Sequence, residues 1–169
     1  IDLARMACAR AAGGAASPME TFWYHAFCMP PRLGGMHFPR PRLNARLEWP
    51  EAVRGSVCHE GMRPDFLWPA HALACEYDGS THKEEDAFRE DRERLRDCAL
   101  CELSLLVLTA EDSRDLGAVK RALGQVAALL GKSEPACFSR RVRNNLSSGD
   151  VDAARKLLME QLLPGRPGS

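Results

Sequence analysis

The chain lacks an excess of either charge: Lys and Arg number 23 and Asp and Glu number 23, so the formal net charge is zero. That excludes a whole-molecule positive field toward nucleic acid or membrane, and any such surface has to be local. An apolar run of about 18 residues, long enough to span a bilayer, is also missing. The seven cysteines are odd in number, follow no framework-like spacing and are preceded by no secretory leader. Reduced thiols in a cytoplasmic protein are the expectation. The first residue is Ile1 rather than Met, which reads as an excised or trimmed domain with flanking partners missing. Internal repeats and long low-complexity tracts are lacking too. With 169 residues and 45% hydrophobic content, one globular domain with an appended segment is expected.

What is present divides into short elements. Residues 2–12 suit a helix ended by Gly13 and Gly14. "SPMETFWYHAFCM" opens with Ser17 as N-cap, Pro18 at the first helical position and Glu20 three residues after the cap, a capping box that predicts a helix over about 18–29. "PPRLGG" breaks it, and the proline-rich stretch from Met36 reads as extended chain near a sheet edge, followed by a turn-rich loop. "DFLW" and "ALACEYD", separated by "PAHA", read as a β-hairpin. A charged helix follows over "THKEEDAFREDRERLRDCALCE", with Phe88, Leu95, Ala99 and Cys98 expected inside. "LSLLVLT" is a buried strand, and "AEDSRDLGAVKRALGQVAALLG" a helix buried through Leu116, Val119, Leu123, Val126 and Leu130. "KSEPACFSRRVRNNLSSGD" looks loop-like, and a last amphipathic helix over about 150–163, apolar through Val151, Ala154, Leu157, Leu158 and Leu162, would dock on the domain or mediate a dimer. The expected divisions are 1–16, an N-terminal helical segment; 17–132, a mixed α/β domain; and 133–169, a polar linker and C-terminal helix.

The acids within "RPDFLWPAHALACEYDGSTH" stand out against their apolar surroundings. Asp65 opens one strand of the hairpin, while Glu76 and Asp78 lie two apart at the end of the next and share a face. Carboxylates at neighbouring strand ends repel one another unless a cation neutralises them. Mg²⁺ or Mn²⁺ suits such a place: it takes hard oxygen ligands, here Asp65, Glu76 and the carbonyl of Tyr77, and keeps several waters. An ion of this kind acidifies water and offsets charge on a phosphodiester in displacement, so phosphodiester hydrolysis is the reaction class these residues suggest.

The same residues carry a resemblance. "RPDFLWPAHALACEYDG", His82, the charged helix and "LSLLVLT" resemble the PD-(D/E)XK nuclease superfamily, in particular the branch of very-short-patch-repair endonucleases and related bacterial domains with an E-x-D-G-x-x-H strand end. The match spans roughly residues 17 to 112. It implies an α/β fold with a restriction-endonuclease-like core, a central mixed β-sheet flanked by helices, here with a C-terminal helical extension. It also implies metal binding by Asp65 and Glu76 and a contribution from Glu20 in the first helix. The superfamily's lysine two residues after the glutamate is replaced by Asp78, as in the related branch. The resemblance therefore leaves water activation or leaving-group protonation to His82 or Lys83, and Asp78 as a further ligand. Arg63 would hold a phosphate, with Arg89 and Arg92 as further phosphate contacts. The implied activity is metal-dependent DNA endonuclease, RNA remaining open as a substrate. The alternative is a weak or inactive nuclease-fold module that binds DNA or a partner protein, and a homodimer or a missing flanking domain is compatible with either.

Blander roles compete for each residue. Asp65 after Pro64 and Asp78 before Gly79 are good turn residues. Glu20 is explained by its capping box. The alternating charges of residues 89–97 suit a solvated helix face with i,i+4 pairs. Trp23, Trp49 and Trp68 suit core packing. Cys98-x-x-Cys101 lacks a second ligand pair for zinc beyond Cys58-His59, so free thiols are expected.

Overall fold

The computed structural model describes residues 14–79 and 85–163, with side chains placed throughout except at 85–88. The helix expected over 2–12, the inward Phe88 side chain, and His82 and Lys83 lie outside these described residues. Helix α1 (Pro18–Cys28) begins as its sequence requires, the Ser17 hydroxyl accepting the Glu20 amide at 3.1 Å. The returning half of the cap differs from a capping box. Glu20 Oε2 accepts the amide of Ala16 at 2.8 Å, one residue beyond Ser17. Phe22, Trp23 and Phe27 are fully buried along α1, each burial of this kind stabilising the fold by about 1.5–3 kcal/mol.

A four-stranded sheet runs in the order β1 (Arg42–Leu43), β4 (Phe66–Trp68), β5 (Leu73–Asp78), β6 (Ser104–Thr109). The first three strands are antiparallel neighbours, and β4 and β5 form the expected hairpin, turned by a short 3₁₀ segment at Pro69–His71. Helix α2 (Glu85–Leu100) then carries the chain over one face, so that β6 lies parallel to β5, from Leu73 opposite Ser104 to Asp78 opposite Thr109. That connection needs a helix-length crossover, which the charged segment supplies. Side-chain alternation splits the sheet into two faces. Phe66, Trp68, Leu73 and Cys75 pack with α1 and α3 (Leu116–Leu130), while Leu67 and Ala74 pack with Trp49, Met62 and Cys98 beneath α2. All three tryptophans are core residues, at most 3% exposed.

Four elements depart from the sequence expectation. Strand β6, expected to be buried, lies at the edge of the sheet with Leu108 inside and Val107 41% exposed. The turn-rich stretch after β1 contains a small antiparallel sheet of β2 (Leu47–Glu48) and β3 (Gly61–Met62), because Leu47 and Met62 face one another beside Trp49. The polar run after Gly131 folds as helix α4 (Ala136–Ser147): Phe138 and Val142, four apart, are its buried anchors, and the arginines around them point outward. Helix α2 does not turn Leu95 or Ala99 inward. Leu95 is 49% exposed, and the buried positions are Asp97 and Cys98. The polar contacts described below set that rotation.

Helix α5 (Gly149–Leu162) docks on its own domain, burying Val151, Leu158 and Met159. Arg155 is 0% exposed, with Nε donating to the Gly34 carbonyl at 3.0 Å and Nη1 to Asp152 at 3.1 Å. Gly34, at φ 88°, permits this approach, since a Cβ there would meet the Arg155 Cα at 2.7 Å. No helix among the described residues is long and apolar enough to cross a membrane.

Candidate active site

The C-terminal end of β5 is where α1, β4, β5 and α2 bring polar groups together. Continuing the register Phe66 opposite Cys75 by one pair puts Asp65 across from Glu76. Asp65 Oδ2 accepts the Tyr77 amide at 2.7 Å, and its carbonyl accepts the Asn44 amide at 3.1 Å. Tyr77 thus meets Asp65 through its N–H. Glu76 projects to the α2 face of the sheet, where the Arg94 guanidinium donates to its Oε2 and forms an ion pair. The two side chains are 19% and 30% exposed.

Glu20 approaches from α1 and is 7% exposed. The Asn44 amide nitrogen bridges Glu20 Oε2 at 3.0 Å and the Gly14 carbonyl at 2.7 Å. Asn44 adopts a left-handed backbone, φ 48°, which asparagine tolerates better than most residues. Its carbonyl accepts Arg63 Nε at 2.7 Å, so one asparagine ties together the surroundings of Glu20, Asp65 and Arg63. Together His59, Arg63, Asp65, Glu76, Tyr77 and Arg94 line an open cleft of about 440 Å³.

Burial pushes the Asp65 pKa up; the Tyr77 amide opposes the shift, the Glu20 charge adds to it and Arg94 reduces it, leaving a net rise. Burial also raises Glu76, against the charge and hydrogen bond of Arg94 and with the help of Asp65 and Asp91. Burial works against the Arg94 cation, and Glu76 more than offsets it, so the guanidinium holds its proton more firmly than usual. Both carboxyls are thus raised chiefly by burial, and among the described residues the Arg94 cation opposes the rise at each.

A second carboxylate site lies farther along α2. Asp97, 1% exposed, accepts the amides of Cys58 at 2.9 Å and His59 at 3.0 Å, and its Oδ2 is 2.7 Å from His59 Nδ1. Burial pushes Asp97 up, but these donors outweigh it and hold the carboxyl below its ordinary range.

Set against expectation, Asp65, Glu76, Tyr77 and Arg63 line one cleft, with Glu20 linked to it through Asn44. Asp78 follows on the Glu76 face of β5. Arg89 and Arg92 are exposed, and α2 contributes Glu90 and Arg94 to the cleft. Cys58 and His59 do reach α2 near Cys98, through Asp97; among the described residues no group of three or more His, Cys, Asp or Glu is arranged to hold a metal ion. Sequence reasoning missed the individual roles of Arg94, Asn44, His59 and Asp97. A signal for α2 was present, because Glu90, Arg94, Asp97 and Cys101 recur at helical spacing. No protein-family model, curated protein or solved structure matches the chain.

Proposed function

We propose that the chain is a Mg²⁺- or Mn²⁺-dependent endonuclease that hydrolyses DNA phosphodiester bonds on a restriction-endonuclease-like core. The observation that carries the reading is the juxtaposition of Asp65 and Glu76 across the β4–β5 hairpin, both raised in pKa and facing one cleft. The order of elements supports it as well: helix, antiparallel strands, crossover helix, parallel strand.

The donor set suits a hard divalent cation, since two partly desolvated carboxylates are relieved by positive charge and offer only oxygen. Asp65 and Glu76 would hold the ion; Glu20 and Asp78 supply further negative charge around them. When bound, the ion would polarise a phosphoryl oxygen and acidify a water. The chain's own residues do the positioning. The Tyr77 amide fixes Asp65, Arg94 opposes the rise in the Glu76 pKa and aims its carboxyl, and Arg63, anchored on Asn44, presents a cation to a phosphate. A reducing, cytoplasmic setting belongs to the same proposal, supported by the free thiols of Cys28, Cys58, Cys75, Cys98, Cys101 and Cys137.

The second reading, a weak or inactive nuclease-fold module binding DNA or a partner protein, is favoured by the Arg94–Glu76 pair, which places a protein cation on a proposed metal ligand, and by Asp78 in the lysine position. Cleavage of supercoiled plasmid with Mg²⁺ or Mn²⁺ separates the two, with an RNA substrate run in parallel. Metal-dependent nicking lost in Asp65→Ala and Glu76→Ala is expected. No cleavage in any metal by folded protein, with salt-dependent DNA binding retained, would replace the enzyme by the module.

A further inference from the structure

The cleft contains an imidazole that the proposed metal site does not use. His59 lies in the loop between β2 and β3 and lines the same cleft as Asp65, Glu76, Arg63 and Arg94. Its ring is fixed from behind. Nδ1 is 2.7 Å from Oδ2 of Asp97, whose carboxylate also takes the amides of Cys58 and His59 and is 1% exposed. A carboxylate held ionised by those donors can only accept, so Nδ1 carries the ring proton in the neutral imidazole. Nε2 then has a lone pair, and the His59 side chain is 30% exposed, in a residue that lines both this cleft and a neighbouring cavity with Arg46, Glu48 and Arg54. A buried acid, an oriented imidazole and an open site beyond it form the arrangement of a general base with its positioning residue.

We propose that His59 is the general base of this cleft, with Asp97 as its positioning residue; the inference rests on the endonuclease reading above. It fills the role left open by Asp78 in the lysine position. As the water oxygen forms its bond to phosphorus, the O–H bond breaks and the proton passes to His59 Nε2. The P–O bond to the leaving sugar oxygen breaks, and that oxygen takes a proton from solvent. The imidazolium formed is stabilised by Asp97, and His59 returns its proton to solvent after turnover. No oxidant or further reactant is required.

A staple role for the same contacts, pinning the 57–60 loop to α2, gives a different outcome. His59→Asn places a side-chain amide where Nδ1 stands and so can keep the bond to Asp97, but it has no group at Nε2. Plasmid nicking by the full chain with Mg²⁺ is measured under single turnover for wild type, Asp65→Ala, His59→Asn, His59→Gly and Asp97→Asn. His59→Asn is expected to keep the wild-type melting temperature and DNA affinity while its cleavage rate falls about 100- to 10,000-fold. Added imidazole is expected to restore part of the rate to His59→Gly but none to Asp65→Ala. Asp97→Asn, which presents an amide donor to Nδ1 and favours the other tautomer, should lose rate with little change in DNA affinity. If wild type cleaves, Asp65→Ala does not, and His59→Asn cleaves at the wild-type rate, the general-base role is overturned and the endonuclease reading stands. If folded wild type fails to cleave with every metal tried, both fall together.

Discussion

Asp97 lies on the inner face of α2 and Glu76 packs against that face with Asp65 beside it, yet their surroundings are opposite in kind. Asp97 is enclosed by three donors, two backbone amides and an imidazole, and its carboxyl sits below the ordinary range. Asp65 and Glu76 have between them one amide and one guanidinium, repel each other, and sit above it. Buried carboxylates are tolerated where donors replace water, and remain costly where another acid stands next to them. The first arrangement fixes a loop and a ring; the second leaves a negative cleft that a cation would relieve.

The largest effect expected is on cleavage: Asp65→Ala and Glu76→Ala should each lower the single-turnover rate at least about 100-fold, while Arg92→Ala, on the exposed side of α2, stays near wild type. Next is stability at the other site. Asp97→Ala should cost about 2 kcal/mol in denaturant unfolding at neutral pH, because two buried amides and the His59 ring lose their acceptor. The pH dependence separates the sites further. Asp97, depressed in the fold, contributes stability above its unfolded pKa of about 3.9 that is lost as pH falls through its native value. Asp65 and Glu76 behave oppositely: their raised pKa values favour the protonated fold, and that contribution disappears as pH rises through them. Wild type and Asp97→Ala should therefore converge in stability in strong acid.

Arg94→Met sharpens the contrast by removing the cation that lowers Glu76, and the acid limb of the cleavage pH profile should move up by about 1 unit. The smallest effect is that of Asp65→Asn, which keeps an acceptor for the Tyr77 amide and removes the charge. It should gain about 0.5 kcal/mol of stability at neutral pH without metal, solvent screening at the cleft mouth included.

The sequence reveals these two regions unequally. "LACE" announces a charge at the end of an apolar strand, and "PAHA" between apolar runs announces the hairpin, so Asp65 and Glu76 can be brought together by strand pairing alone. The helix after them hides its inner face, because acids and bases alternate along it and Leu95 is the natural candidate for burial. Arg94 and Asp97 are selected instead by partners from β5 and from the 57–60 loop, distant in sequence. Asn44 is equally silent: its role depends on a left-handed turn and on contacts to Gly14, Glu20 and Asp65 that no local pattern encodes. Helix α4 was obscured by its many arginines, since only Phe138 and Val142 mark its buried side.

Thermal unfolding at neutral pH with and without Mn²⁺, for wild type, Asp65→Asn and Glu76→Gln, tests the cation site without requiring a substrate. Wild type should gain about 2.7 kcal/mol at a hundredfold excess of metal over its Kd. Both variants should lose that response, and Asp65→Asn should start from a higher melting temperature. A wild type that does not respond to Mn²⁺, or variants that respond equally, would contradict the assignment of Asp65 and Glu76 as the carboxylates that hold the ion.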